Sequence, residues 1–140
     1  QLKNRKMPQL TITEDRCGDA MLNNPIIRKV AEAAGIEIRA VLRDADTDLI
    51  DRHLTNGGRS IPVYLLLNEA GEVVAKWGPR ASELQELVMT MRTQLPDKED
   101  PNFEQAQKEM YTKMRKQYVE DPTLWNYVYE SFKQTVAHAL

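Results

Sequence analysis

The chain has 140 residues, 41% of them hydrophobic and 29% charged, with a net charge of −2. Those proportions suit one globular domain, or a domain with an appendage, long enough to bury a core, and exclude a disordered chain. The near balance of interspersed charges excludes the electrostatic footprint of a protein that binds nucleic acid or an anionic membrane.

The densest basic run, Lys113-Met114-Arg115-Lys116, sits between apolar residues at helical spacing and reads as a solvated helix face. No apolar run reaches the ~18 residues of a membrane span. Behind Gln1, Lys3, Arg5 and Lys6 there is no hydrophobic stretch of the kind a signal peptide needs. A single cysteine, Cys17, excludes an internal disulfide framework and fits a reducing cytoplasm. With His53 and His138 far apart, no metal-ligand spacing is present, and neither metal nor cofactor is expected.

In chain order, Leu10 to Thr13 alternates and is β-branched, which predicts a strand. From Asp19 the pattern turns helical, with Leu22, Ile26, Val30 and Ala34 on one stripe, and Gly35 fits a left-handed cap. Pro25 inside this helix removes one backbone donor and predicts a kink. Residues Ile36 to Leu42 form the next expected strand. Asp46 is the candidate N-cap of a short helix carrying Leu49, Ile50 and Leu54, stopped by Asn56-Gly57.

Ile61 to Leu67 is the most apolar segment and the candidate central strand. Val73 to Trp77 returns from the tight connection after it as a hairpin partner. Ser82 to Gln85 fits a capping box, opening a helix with Leu84, Leu87, Val88, Met91 and Leu95 on one face. The polar stretch from Asp97 to Asn102 is a natural boundary. Two amphipathic helices follow, one with Phe103, Ala106, Met110, Met114 and Tyr118. The other opens at Asp121-Pro122 and carries Leu124, Trp125, Val128, Phe132 and Val136.

The expected fold is therefore α/β: β-α-β-α-β-β-α over residues 1–96, plus a two-helix extension over residues 97–140. The first two strands, joined through a helix, are expected to be parallel with a right-handed crossover, and the hairpin pair antiparallel. Helices on both faces of such a sheet require its central strands to be apolar on both sides.

Cys17 follows a strand and precedes a helix, where free backbone N–H groups and the positive end of the helix dipole stabilise a thiolate. Arg16 adds a cation, whereas Glu14, Asp15 and Asp19 oppose it, so the residues alone leave two readings open. Cys17 is either an activated thiol or an inert small side chain. Pro62 opens a buried strand and forfeits a ladder hydrogen bond. That suits either a trans proline at a strand start or a cis bond after Ile61.

The strings "EDRCGDAMLNNP", "RDADTDLIDRHLTNGGRSIP" and "WGPR" resemble bacterial thioredoxin-family proteins of the thioredoxin-9 type, over about residues 9 to 130. Members of that group commonly read Trp-Cys-Gly-Asp-Ala at the active-site turn and carry a helical C-terminal extension. The resemblance implies a thioredoxin-like fold with a central mixed four-stranded sheet, helices on both faces, and Cys17 as the nucleophile. Gly18, Asp19 and Ala20 complete the active-site turn, with Arg16 before it. Pro62 matches the family's cis-proline, and Ser60, Ile61, Pro62 and Gly78 correspond to the substrate groove, where Ile61 would offer its backbone to an extended partner.

Two departures stand out. Ala20 occupies the place of the resolving cysteine, and Arg16 that of the usual tryptophan. The dithiol cycle is thus closed to this chain. A monothiol exchange remains, in which Cys17 forms a mixed disulfide that an external low-molecular-weight thiol resolves. The alternatives are a redox-inactive binding module using the same groove, and a peroxide sensor passing through a sulfenic acid. The expected partners are a protein or small thiol or disulfide, with no nucleic acid and no membrane. Tyr127 and Tyr129 are expected to stay exposed. The sequence carries no sign of an oligomeric state.

Overall fold

A computed structural model describes residues 8–14, 18–45 and 47–139. The elements are β1 (Gln9–Thr13), α1 (Gly18–Ala34), β2 (Ile38–Leu42), α2 (Thr47–Asp51), β3 (Val63–Leu67) and β4 (Val73–Trp77). They are followed by α3 (Ser82–Thr93), α4 (Phe103–Glu120) and α5 (Pro122–Ala139). The four strands form one mixed sheet in the order β2-β1-β3-β4. β1 runs parallel to β2 and antiparallel to β3, and β3 and β4 form an antiparallel hairpin, as the connections require.

Burial follows position in the sheet. β3 lies inside and alternates between two cores, with Tyr64 and Leu66 on one face and Val63 and Leu65 on the other. The first face is covered by α1, α3, α4 and α5, whose Ile27, Ala31, Leu84, Val88, Met114, Val128, Phe132 and Val136 make one continuous cluster. The second is smaller, with Ile12, Ile61, Val63 and Leu65 packed around Ile50 of α2. The outer strands expose what the inner ones bury: Val41 and Leu42 of β2, and Val73 and Val74 of β4, are open to solvent.

β1 departs from the expectation that inner strands are apolar on both faces. Leu10 and Ile12 face the smaller core. Gln9 and Thr11 are buried, and together with Thr13 they line a cavity of about 420 Å³ beside α1 and β2. Hydrogen bonds satisfy this polar row in part, with Gln9 Oε1 left buried without a partner among the described residues. Gln9 Nε2 donates to Thr11 Oγ1 at 3.1 Å, Asn24 Nδ2 donates to Thr13 Oγ1 at 3.4 Å, and the Tyr64 hydroxyl donates to Asn24 Oδ1.

Helix ends follow local chemistry in most places. α1 runs through Pro25 and ends at Gly35, whose φ of 72° lets Ile36 N–H reach back to Ala31 O at 2.8 Å. At the start of α5, Asp121 Oδ1 accepts from Thr123 N–H at 2.9 Å, with Pro122 in the first helical position. Asp46, the candidate cap of α2, lies outside the described residues. That helix stops at Asp51, so Leu54 falls beyond it and is exposed. Asn56 and Gly57, both at positive φ, instead close a two-residue turn in which Thr55 and Gly58 exchange backbone hydrogen bonds.

Two side-chain expectations are corrected. The Ser82–Gln85 capping box does not form: the N-cap is Ala81, without a side-chain hydrogen bond, and Gln85 Oε1 accepts from Arg80 instead. Trp125 is not in the core stripe of α5. It stands one residue, about 100°, round the helix from Leu124, is 40% exposed, and donates from Nε1 to Tyr118 O at 2.6 Å. Tyr127 and Tyr129 are exposed, as expected.

Phe132 is fully buried and meets Tyr64 and Trp77 edge-on at ring-centroid distances of 6.1 and 6.0 Å. Phe132→Ala should therefore lower unfolding free energy by about 3–5 kcal/mol, read by urea denaturation. A loss below about 1 kcal/mol would mean that α5 does not share the sheet's cooperative core.

Candidate functional site

Three segments converge at the end of the sheet where β3 begins and β4 ends. They are the first turn of α1, the segment Ser60 to Pro62, and the loop from Trp77 to Arg80. The Ile61–Pro62 and Gly78–Pro79 peptide bonds are both cis. Gly78 has φ of 121°, and a Cβ built there would stand 2.2 Å from Pro62 O, so only glycine lets the two loops lie this close. Pro79 O accepts a hydrogen bond from the buried Asn23 Nδ2 at 2.8 Å, which ties the same loop to α1.

The tightest link is ionic. Arg80 forks onto Asp19, with Nε to Oδ1 at 2.9 Å and NH2 to Oδ2 at 2.8 Å; the two side chains are only 12% and 9% exposed. Tyr118 of α4 donates its hydroxyl to Asp19 Oδ1 at 2.9 Å, and Arg80 NH1 donates to Gln85 Oε1 at 2.9 Å. Both Asp19 oxygens and three of the Arg80 N–H donors are thus paired within the cluster.

Burial works against the charge on Arg80, but Asp19's charge and hydrogen bonds outweigh it, and the guanidinium pKa is raised. Tyr118 is pushed well above its ordinary value, first by burial and then by the Asp19 charge, so its hydroxyl stays a donor.

Among the sequence-predicted residues, Asp19, Pro62 and Gly78 come together through this loop. Ala20 is buried in the first turn of α1. Ile61 turns its side chain into the smaller core, and Ser60 is exposed. Gly18 is the first residue of α1. Cys17 and Arg16, which precede it in the chain, lie outside the described residues. Asp19, expected to oppose a thiolate at Cys17, has its charge matched by Arg80.

Sequence reasoning passed over Asn23 and Arg80 as site residues and gave Gln85 and Tyr118 other roles, in a capping box and a core stripe. Arg80 stood in the quoted "WGPR", and Tyr118 was read only as part of a core stripe. Their partners lie 56, 61, 5 and 99 residues away, beyond any local signal except that of Gln85. Among the described residues, no three His, Cys, Asp or Glu side chains are placed to share a metal ion.

A family model described as thioredoxin, of the thioredoxin-9 group, matches residues 1–95, more than half of the chain. The chain belongs to the thioredoxin family. No curated protein matches this thioredoxin-family chain. Among solved structures, it is similar to a protein of unknown function from Pseudomonas aeruginosa, at 14% identity and a TM-score of 0.61. That match covers 96% of this chain and 65% of the other.

An HIV epitope scaffold matches at 15% identity and a TM-score of 0.58, covering 96% of this chain and 66% of the scaffold. Mitochondrial thioredoxin 3 from Saccharomyces cerevisiae matches at 16% identity and a TM-score of 0.44, covering 64% of this chain and 82% of its own. At such identities the first two likenesses speak for the fold. The chain spans less than two thirds of the length of either of those proteins.

Gly78→Ala should cost about 2 kcal/mol or more, since the new methyl meets backbone rather than a movable side chain. A thermal midpoint equal to that of the parent chain would refute the close approach. Tyr118 supplies a pH test. The folded chain holds its phenolic proton more tightly than the unfolded chain, whose value is near 10.0. Its contribution to stability is therefore complete below about pH 10 and is lost as pH rises further. The urea midpoint, followed between about pH 9 and 11, should fall more steeply for the parent chain than for Tyr118→Phe.

Proposed function

We propose that this thioredoxin-family chain carries out monothiol thiol–disulfide exchange at Cys17, with an external low-molecular-weight thiol as resolver. The observation that carries the reading is Ala20. It occupies the family's resolving position, is 3% exposed within the first turn of α1, and leaves Cys17 as the sole cysteine of the chain.

The cycle balances without a metal or cofactor. The Cys17 thiolate attacks one sulfur of a partner disulfide; that S–S bond breaks, a Cys17–partner bond forms, and the other partner sulfur leaves as a thiolate that takes up a proton. A small thiolate such as glutathione then attacks the mixed disulfide. Cys17 regains its thiolate, and the partner departs joined to the small thiol. A second small thiol, as reductant, frees the partner and leaves as the oxidised dimer.

Several features support the reading. Gly18 opens α1, whose N-terminal N–H groups favour an anion beside them. Asp19 is neutralised by Arg80. Pro62 and Gly78 meet at the mouth where the resemblance puts the partner's extended segment, along Ser60, Ile61 and Pro62. Among the described residues, no helix is long and apolar enough to cross a membrane. The reading belongs to a reducing compartment such as the cytoplasm, where small thiols are abundant.

Oxidised glutathione should add a single glutathione to the parent chain and none to Cys17→Ser, and reduced glutathione should remove it. The alkylation rate should have its pH midpoint below the ~8.5 of an ordinary thiol. An ordinary midpoint together with no mixed disulfide would sink the proposal.

A further inference from the structure

One face of β1 is out of character for an inner strand. Leu10 and Ile12 meet the smaller core, but the other face buries Gln9 and Thr11, 1% and 4% exposed, at the floor of a cavity of about 420 Å³ beside α1 and β2. Packing does not require these groups, since β-branched or aliphatic residues fill such positions without desolvating an amide and a hydroxyl. We propose that the cavity binds a small neutral amide carrying an apolar group, and that the amide edge of this guest pairs with Gln9 and Thr11. The proposal stands apart from the monothiol reading and shares no residue with that site.

The floor is chemically incomplete as it stands. Gln9 Nε2 donates to Thr11 Oγ1 at 3.1 Å, while the buried Gln9 Oε1 has no partner among the described residues. Turning the amide over would only exchange its two ends, because the Thr11 hydroxyl reaches one end at a time. That hydroxyl accepts in the bond to Gln9 and keeps its own proton to donate. One acceptor and one donor thus lie on adjacent side chains of the same face, the complement of an amide's N–H and C=O. Farther along the row, Thr13 is taken by Asn24, and Asn24 by Tyr64.

The remaining lining sets the rest of the guest. Ile27, Ile36 and Ile38 form an apolar wall, which offers a water molecule nothing and an apolar group a dry surface. The charged lining side chains, Arg28 and Glu32, pair with each other at 3.0 Å and are 74% and 62% exposed, so the rim presents no net charge. A charged guest would leave water for a floor without a counter-charge. The volume falls within the ~300–1,000 Å³ of small-molecule sites, room for one ring and its amide.

The test uses the full chain and three probes followed by backbone amide chemical shifts. Benzamide has the ring, the N–H and the carbonyl; N,N-dimethylbenzamide lacks the N–H, and benzoate replaces the amide with a charge. Benzamide should shift the resonances of Thr11, Ile38 and Ala40 saturably and bind about tenfold more tightly than either analogue, the worth of one hydrogen bond to a buried group. Gln9→Met, similar in volume, should abolish the preference for benzamide over the dimethyl analogue. Its urea midpoint should equal or exceed that of the parent chain, because an unpaired buried oxygen is gone. Thr11→Val should weaken benzamide about tenfold.

The absence of saturable shifts at those three residues overturns the proposal and leaves the cavity to water. Equal affinity for the three probes overturns it too, as does tighter binding of benzoate, which would mark an anion site. A preference for benzamide that survives Gln9→Met has the same force. If Gln9→Met does not fold, the ranking of the probes and the loss in Thr11→Val decide it.

Discussion

A carboxylate and a guanidinium that both leave water at the end of a sheet depend on each other completely. Moving either one alone into the interior costs several kcal/mol, and removing one partner strands the other. Asp19 and Arg80 are so placed, with the Tyr118 hydroxyl and the Gln85 amide oxygen taking what the pair leaves over. The pair is satisfied only when α1, the loop after β4, α3 and α4 are all in place together. A buried ionic cluster of this kind contributes less net stability than apolar packing of the same volume. It does penalise any arrangement in which those four elements shift relative to one another.

The loop that supplies Arg80 shows how much four consecutive residues can connect. Trp77 tilts against Tyr64 at 5.6 Å between centroids, meets Phe132 edge-on, and donates to Ser131 Oγ at 2.8 Å, reaching β3 and α5. Gly78 lies against the backbone of Pro62. Pro79 O takes the Asn23 amide, and Arg80 takes Asp19. Apolar stacking, backbone contact, a neutral hydrogen bond and an ion pair thus succeed one another along one turn, the first two toward β3 and α5 and the last two both to α1. A displacement of this loop would be felt at once in the sheet, in α1 and in the C-terminal helices.

Local chemistry was readable wherever it decided the outcome. The hairpin strand lies at Val73–Trp77, the residues expected to return from the tight connection, Gly35 caps α1, and Asp121-Pro122 starts α5. Periodicity found the core side of α4 and α5 through Met114, Tyr118, Val128 and Phe132, because a four-residue step returns to one face. Reading failed where a distant partner captured a locally suitable group. Gln85 fits a capping box, yet its oxygen serves Arg80. Tyr118 fits a hydrophobic stripe, yet its hydroxyl reaches a carboxylate 99 positions away. The polar row Gln9–Thr11–Thr13 on an inner strand breaks the usual pattern because it faces a cavity and is hydrogen-bonded in part, by Gln9 to Thr11 and by Asn24 to Thr13.

A monothiol cycle differs from a dithiol one in the source of its second thiol. A resolving cysteine three residues away acts as an intramolecular nucleophile at high effective concentration, so the mixed disulfide is short-lived whatever surrounds the protein. On the proposed reading, with Ala20 buried at that position, resolution is bimolecular, and the lifetime of the mixed disulfide scales inversely with the concentration of external thiol. A fall in that thiol pool then lengthens the time the chain stays bonded to its partner.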